Sequence, residues 1–192
     1  ILRGPASVLY GSNAIGGAVS YFTLDPDDII KPGKDVGARL KSGYSSADES
    51  WLTSATVAGR QGDVDGLLHL SQRNGHETET QGHHSGAGLA RTEANPMDVR
   101  TTNVLAKAGW NYADDARLGV TYERYKDDRD QNILSAAGGP FIPGFGGMGY
   151  YKARSGNDTI TRERFGINHE FGLDTLFADQ VKWSLNYQVA KT

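Results

Sequence analysis

The sequence contains no cysteine and no long apolar run. Without cysteine, the chain cannot form disulfide bonds, thiol nucleophiles or cysteine-based zinc sites. A membrane-spanning helix needs about 18 consecutive apolar residues, and the mean hydropathy of −0.51 reflects the absence of such a run. Basic residues are not in excess, since the net charge is −3. We therefore expect no nucleic-acid partner.

The common catalytic arrangements are missing as well. No serine has an activating base at a recognisable spacing, no set of side chains has metal-ligand spacing, and no carboxylate pair has a definable geometry. Gly16 and Gly17 do not belong to the phosphate-binding pattern GxxxxGK[ST]. We therefore expect no enzyme activity, no metal site and no prosthetic group.

Regular alternation is the main positive feature of the chain. From Val36 onward, seven segments alternate apolar and polar side chains with a period of two, which predicts β-strands. The segments lie near residues 36–44, 51–60, 68–73, 104–112, 117–123, 164–171 and 180–189. In the last and most regular segment, Trp183, Leu185 and Tyr187 alternate with polar residues. The sequence therefore predicts an all-β, antiparallel fold.

Two all-β architectures share this alternation. A soluble sandwich turns its apolar side chains inward, whereas a transmembrane β-barrel turns them toward lipid and its polar side chains toward the lumen. Trp110, Tyr112, Tyr122 and Tyr125 lie near the ends of predicted strands, where the aromatic belt of a membrane barrel would lie. These aromatic residues favour the barrel.

The lengths of the connections also favour a barrel. The two long connections, near 74–98 and 127–159, fall at the same end of the predicted strands. The turns at 60–66, 113–116 and 172–179 fall at the other end and are short. Outer-membrane barrels have long outer loops and short periplasmic turns, whereas a sandwich has no reason for this asymmetry.

The first residues contain the most specific motif. Residues 2–19 read LRGPASVLYGSNAIGGAV. This segment closely resembles the end of the plug domain in TonB-dependent outer-membrane receptors, where the family pattern is R-G-P-x-S-x-L-Y-G-x-x-A-x-G-G-x-[VI]. The resemblance implies a plug inside a barrel of about 22 strands, located in the bacterial outer membrane, surrounded by its lipid and energised by the TonB-ExbB-ExbD complex.

The same resemblance divides the chain into three parts. Residues 1–24 are expected to form the C-terminal end of the plug, 25–35 a linker, and 36–192 the N-terminal portion of the barrel. The seven strands predicted here would be about a third of the barrel. The sequence starts at Ile1 within a motif and stops at a strand-like segment, so we expect both ends to be truncations of a longer protein that carries a signal sequence.

A second resemblance concerns the ligand. Thr23, Asp25, Asp28, Ile29 and Ile30 resemble the T-x-D-x-x-D-[LI]-[LI] continuation of the haem and haemoglobin receptor branch. This resemblance implies import of haem, delivered free or by a haemoprotein, with haem as transported ligand. A ferric siderophore or cobalamin receptor is the alternative within the family. A soluble β-sandwich or adhesin-like binding module is the alternative from another class.

The resemblance also assigns roles to plug residues. Arg3 is expected to contact carboxylates on the barrel wall, with Glu123, Glu163 and Glu170 as candidates. By the alternation, Glu123 and Glu170 share the lumen-side face, while Glu163 falls on the other face. The alternative for Arg3 is a solvated surface position. The expected turn and close-packing positions of the plug motif are Gly4, Pro5, Gly11, Gly16 and Gly17.

The two long loops contain the candidate ligand contacts. His76, His83 and His84 lie in the first long loop, and imidazole is a good iron ligand. The aromatic side chains of the second long loop would stack on a porphyrin or dock on a haem protein; they are Phe141, Phe145, Tyr150 and Tyr151. The alternative for the first long loop is a polar loop in which histidine is simply tolerated. The alternative for the second is a loop that packs on itself or on neighbouring loops. We predict no function for His69 and His169.

Overall fold

The computed structural model describes residues 23–137, 154–173, 175 and 178–192, together with the backbone of residues 2–3 and 17–18. Strands dominate this part of the chain. Its helices are two 3-10 turns, Pro26–Asp28 and Leu134–Ala136. Neither helix is long or apolar enough to span a membrane.

The strands form two sheets. β1 (Leu2–Arg3) and β2 (Gly17–Ala18) pair with each other in antiparallel orientation. The other seven strands form one antiparallel sheet in sequence order: β3 (Val36–Ser45), β4 (Ser50–Gln61), β5 (Val64–Gly75), β6 (Met97–Ala113), β7 (Ala116–Asn132), β8 (Ser155–Gly172) and β9 (Gln180–Lys191). The predicted number and order of barrel strands are confirmed, and the sheet fits a partial β-barrel.

The large sheet has two chemically different faces. The apolar face contains the register row Ala38, Val57, Leu68, Ala106, Tyr122, Phe165 and Tyr187. The polar face contains the next row, Arg39, Thr56, His69, Leu105, Glu123, Arg164 and Gln188. Among described residues, the exposed large apolar side chains lie on the apolar face except Leu52, Leu89 and Ile160.

The exposure of the apolar face favours a barrel over a sandwich. Leu40 is 82% exposed and Leu185 is 65% exposed. In a sandwich, such side chains would pack against a second sheet and would be buried. No second sheet covers this face in the described part of the chain. The exposed apolar face fits a partial β-barrel, in which such side chains contact lipid.

The connections are asymmetric, as predicted. The turn at 62–63, the turn at 114–115 and the connection 173–179 lie at one end of the sheet, called the short-turn end. The connections 46–49, 76–96 and 133–154 lie at the opposite end, called the long-loop end. The two-residue turn 62–63 uses Gly62 with φ +57°, a backbone conformation that L side chains rarely adopt.

Strands β6 to β8 are longer than the alternation predicts. β7 has 17 residues and continues to Asn132, and β8 has 18 residues and begins at Ser155. The loop predicted at 127–159 is therefore too long at both ends. These extensions carry charged residues on both faces, so the apolar period disappears although the strands persist. Cross-strand polar pairs support them, including Thr101 to Asp127 at 2.7 Å.

Charged residues are distributed differently on the two faces. On the apolar face they occur only from the middle of β7 and β8 to the long-loop end, among Asp98, Arg100, Arg124, Lys126, Asp128, Asp130, Glu163 and Lys191. On the polar face they occur along the whole sheet. There the cations Arg39, Lys41, Arg60, Arg73, Lys107, Arg117, Arg129, Arg162, Arg164 and Lys182 outnumber the carboxylates Asp65, Glu123, Asp127, Asp158 and Glu170. The polar face is therefore electropositive.

Candidate functional site

The predicted linker is docked on the polar face. Lys107 Nζ donates a hydrogen bond of 2.6 Å to Asp25 Oδ1. Arg60 forms a salt bridge with Asp27. Arg39 Nη2 donates a bond of 3.0 Å to the carbonyl oxygen of Asp28. Three cations from three different strands thus hold one acidic turn, called here the docked turn (Asp25–Ile30).

Apolar side chains complete the docking. Ile29 and Ile30 are 8% and 7% exposed and form a buried cluster with Ala58, Leu67 and Leu105. Burying one such isoleucine stabilises by about 1.5–3 kcal/mol, counted as an upper estimate. An exposed ion pair contributes about 0.2–1 kcal/mol. The two isoleucines therefore supply most of the affinity of the turn for the wall, and the charges fix its position.

The local sequence dictates the shape of the docked turn. Pro26 opens the 3-10 helix Pro26–Asp28, where its missing N–H costs no hydrogen bond. The amide of Asp25 donates to Asp28 Oδ2 at 2.8 Å, which closes the turn. A side chain at Gly37 would collide with the carbonyl of Ile29. Glycine at that position lets the turn lie directly on β3.

The docked turn coincides with the motif that resembles the haem receptor branch. Asp25 contacts the wall, Asp28 closes the turn, and Ile29 and Ile30 enter the buried cluster. The sequence predicts a linker here but not its docking. The only available signal was the pair of isoleucines in an otherwise polar segment. The side chains that they pack against, Ala58, Leu67 and Leu105, come from three separate strands.

A bidentate ion pair ties three strands together on the polar face. Arg117 on β7 donates to both carboxylate oxygens of Asp65 on β5, at 2.7 and 2.8 Å. Its guanidinium passes over Gly109 on β6, where an added Cβ would meet it. Sequence analysis missed this pair because its members are distant in the chain.

The predicted plug-contact glutamates already have cationic partners on the wall. Arg164 forms a salt bridge with Glu123, and Lys182 Nζ lies 2.8 Å from Glu170 Oε1. Both glutamates lie on the polar face, as the alternation predicts. Glu163 lies on the apolar face, with Arg124 Nε at 3.6 Å. The side chain of Arg3 lies outside the described residues, so its contact with these carboxylates stays a prediction.

The first long loop encloses a polar cleft of about 720 Å³ at the long-loop end. His76 lines it and approaches Asp98, with Nδ1 to Oδ1 at 3.0 Å. The backbone amides of His83 and His84 both donate to Thr92 Oγ1 at 3.1 Å, which orders their segment. Among the described residues, no group of three histidine or acidic side chains is placed to hold a metal ion.

Aromatic side chains lie at both ends of the apolar face. Trp110 and Tyr112 lie near the short-turn end, where Trp183 Nε1 donates to His169 Nδ1 at 3.1 Å. At the long-loop end, the rings of Tyr44 and Trp51 are 5.1 Å apart. The predicted position near a strand end is confirmed for Trp110 and Tyr112 but is wrong for Tyr122, which lies in the interior of β7 because the strand continues to Asn132.

Tyr125 also departs from the predicted belt. It lies on the polar face, between Asn103 and Arg162 in register. Side chains alternate between the two faces of a strand, and Tyr125 is three residues from Tyr122, so the two lie on opposite faces.

The remaining predicted site residues lie outside the described residues. These are Gly4, Pro5, Gly11 and Gly16 of the plug motif and Phe141, Phe145, Tyr150 and Tyr151 of the second long loop. Gly17 is described in its backbone only, where it pairs with Arg3. Their roles stay predictions.

Known proteins resemble the chain over much of its length, although no family model matches it. The hemin receptor of Yersinia enterocolitica is 34% identical over 66% of this chain and 17% of its own length. The hemoglobin and hemoglobin-haptoglobin-binding protein of Haemophilus ducreyi is 30% identical over 100% of this chain and 20% of its own length. The chain belongs to the TonB-dependent outer-membrane receptors.

This receptor chain spans about a fifth of the length of those relatives. A further relative, the hemoglobin-haptoglobin utilization protein B of Neisseria meningitidis serogroup C, is 29% identical over 70% of the chain. These relatives are named as receptors, binding proteins or utilization proteins. The resemblance of the docked turn to the haem and haemoglobin branch agrees with their names.

Proposed function

We propose that this chain is part of a receptor that imports haem across the bacterial outer membrane by TonB-dependent active transport. The two-sided sheet carries the proposal, because its apolar face suits lipid and its charged face suits a water-filled, plugged lumen. The names of the relatives support haem, free or bound to haemoglobin, as the ligand. Haem is cargo in this proposal, not a resident cofactor.

The proposed mechanism assigns a role to each part of the chain. The outer loops at the long-loop end, together with the plug, receive the ligand. The TonB-ExbB-ExbD complex then pulls on the plug through a region outside this chain. Contacts between plug and wall yield, while the docked turn holds the connecting segment to β3, β4 and β6. Because the energy comes from the inner-membrane proton gradient through TonB, the receptor needs no catalytic centre.

The test uses the full-length receptor in a haem-auxotrophic bacterium without other haem receptors. Growth on hemin as the sole haem source is expected with the receptor and an intact tonB gene, and no growth is expected when either is deleted. Separately, purified receptor in detergent should shift the Soret band of hemin.

Two results would contradict the proposal. Growth that persists without TonB would exclude active import by this route. If a ferric siderophore quenches the tryptophan fluorescence of the receptor in a saturable way, and saturating hemin gives no Soret shift, the receptor belongs to the siderophore class instead. Fractionation provides a third check, since recovery of the receptor in the soluble fraction would exclude an outer-membrane location.

A further inference from the structure

The register row of the polar face that begins at Lys41 has no acidic side chain. From β3 to β8 it contains Lys41, Ser54, Ser71, Asn103, Tyr125 and Arg162, and it ends at Ala190 on β9. Asn103 Nδ2 donates to Ser71 Oγ at 3.2 Å, so part of the row is already a connected hydrogen-bonding strip. We call these six residues the cationic row. It offers hydrogen-bond donors along its length and a cation near each end.

Most cations of the polar face already have a partner in the protein. Arg117, Arg164 and Lys182 each have a carboxylate partner, and Arg39 donates to the carbonyl oxygen of Asp28. Neither Lys41 nor Arg162 has a carboxylate within salt-bridge distance among the described residues. An unpaired guanidinium in a lumen attracts anions, because the surrounding protein screens its charge less than bulk water does.

The Arg162 end of the row has a built recess. The guanidinium carbon of Arg162 lies over the ring of Tyr125, 5.9 Å from its centroid, which is within cation–π distance. A cavity of about 130 Å³ opens beside it, and Thr23, Asn103 and Arg164 also line the cavity, together with Glu123, whose carboxylate is held by Arg164. The N–H groups of the Arg162 guanidinium can therefore donate to a carboxylate that enters the cavity.

The docked turn leaves this row open. Its contacts with Arg39, Arg60 and Lys107 all lie in register rows nearer the short-turn end. The row containing Arg39 is directly adjacent to the cationic row. A ligand that moves from the long-loop end toward the short-turn end therefore meets the cationic row before it meets the docked turn.

We propose that the cationic row binds carboxylates of the transported ligand during its passage, with Arg162 on Tyr125 as the principal site. The inference rests on the proposed function and adds the chemical class of the ligand, a porphyrin that carries free carboxylates. The row extends over about 24 Å, at about 4.8 Å per strand. One porphyrin therefore contacts one end at a time, and its carboxylates pass between donors along the row.

The experiment compares two probes in cells that produce the full-length receptor. Hemin has two free carboxylates, and hemin dimethyl ester has none. Arg162→Gln is expected to slow the initial uptake of hemin by about tenfold, the effect of one charge-assisted bond of roughly 1.4 kcal/mol. It should leave ester uptake and hemin binding to energy-depleted cells unchanged.

Arg100→Gln is the matched control. It removes the same charge from the apolar face of β6, away from the cavity beside Arg162, and hemin uptake should remain at the wild-type rate. Lys41→Gln provides a second variant at the other end of the row, with an expected loss in the same direction. Heat-modifiable migration on gels confirms assembly of each variant.

Several results would overturn the proposal. Hemin uptake by Arg162→Gln and Lys41→Gln at the wild-type rate would remove the row from the ligand path. Equal losses for hemin and its ester would remove carboxylate recognition. Increased protease sensitivity of the ligand-free plug in Arg162→Gln would assign the row to plug binding instead. Failure of the wild-type receptor to take up either probe would refute the proposed function itself, which is a separate result.

Discussion

At the scale of single residues, Gly109 has a role that its lack of a side chain explains. The Arg117 guanidinium occupies the space above it, and an added Cβ would also lie 2.9 Å from Asp65 Oδ1. We expect Gly109→Ala to displace the bidentate pair and lower the free energy of unfolding by about 1–3 kcal/mol. Urea unfolding in detergent micelles measures this loss.

Gly43→Ala is the control for that substitution. Gly43 lies in β3 on the same face, and nothing lies within 4 Å of the Cβ that would be added. It should change stability by much less than Gly109→Ala. If the two variants unfold at the same urea concentration, the close approach of Arg117 has no energetic importance.

Asp48 gives the connection 46–49, a turn at the long-loop end, a predictable response to acid. Hydrogen bonds from Ser50 and Ser45 and the charge of Arg73 lower the pKa of Asp48. A lowered folded pKa means that the carboxylate stabilises the turn above the ordinary pKa of about 3.9, and that this support disappears as pH falls through the folded value. Amide exchange of His76, which donates to the Asp48 carbonyl at 2.9 Å, should therefore accelerate in acid beyond its intrinsic rate.

Asp48→Asn should remove most of that acid response, because the amide does not titrate in this range. Glu49→Gln changes another acidic side chain of the same turn and should leave the response in place. A persistent response in Asp48→Asn would show that a different group controls the turn.

The sequence was enough to predict on which face of the sheet a residue lies, but not which residue it contacts there. Period two was enough to place Glu123 and Glu170 on one face and Glu163 on the other. The pairing of Glu123 with Arg164 joins residues 41 positions apart, and that of Asp25 with Lys107 joins residues 82 positions apart. A periodicity carries no information on register between distant strands, so these pairs were not predictable.

At the scale of elements, the docked turn is the part whose stability can be tested directly. Ile30→Ala removes buried apolar volume and should weaken docking by about 2 kcal/mol or more, which corresponds to roughly 30-fold faster local opening. Lys107→Gln removes an ion pair whose Asp25 side chain is 63% exposed, so its effect should be less than about 1 kcal/mol. Hydrogen exchange of the amides of Asp28, Ile29 and Ile30 measures both effects.

Lys31→Gln is the matched control for the lysine substitution. Lys31 is exposed and adjoins the docked turn, so its loss should leave the exchange of those amides unchanged. A larger effect for Lys107→Gln than for Ile30→Ala would contradict the assignment of most of the docking energy to the isoleucines.

Element lengths were the least predictable feature of the fold. The alternation located each strand of the sheet but ended β7 before Asp127, because Lys126, Asp127 and Asp128 are all charged. Backbone pairing and polar contacts such as Lys126 to Asp128 at 2.7 Å extend the strand where no apolar face exists. Hydrophobic periodicity detects a strand only where one of its faces is apolar and removed from water.

At the scale of the whole molecule, the two faces predict opposite responses to the same new charge. Leu185 is 65% exposed on the apolar face, and Ser184 is its neighbour on the polar face. Leu185→Arg should cost about 2–4 kcal/mol near the middle of a bilayer, whereas Ser184→Arg should cost little in a polar lumen. The yield of heat-modifiable receptor in the outer membrane measures the difference.

The reverse result would refute the orientation of the sheet. If Ser184→Arg prevents assembly while Leu185→Arg is tolerated, the face with the exposed apolar side chains does not contact lipid. Equal tolerance of both would indicate that neither face is held in a bilayer.

The docked turn also sets a limit on travel that follows from chain geometry. An extended chain gains at most about 3.6 Å per residue, and the hydrocarbon core of a bilayer is about 30 Å thick. With Asp25 held at the wall, the chain before it must straighten over roughly nine residues to reach across that depth. Because the chain is attached to the wall at this point, a pull from the periplasm would unfold the upstream chain residue by residue. The unfolded segment would stay close enough to the wall to refold in its original position.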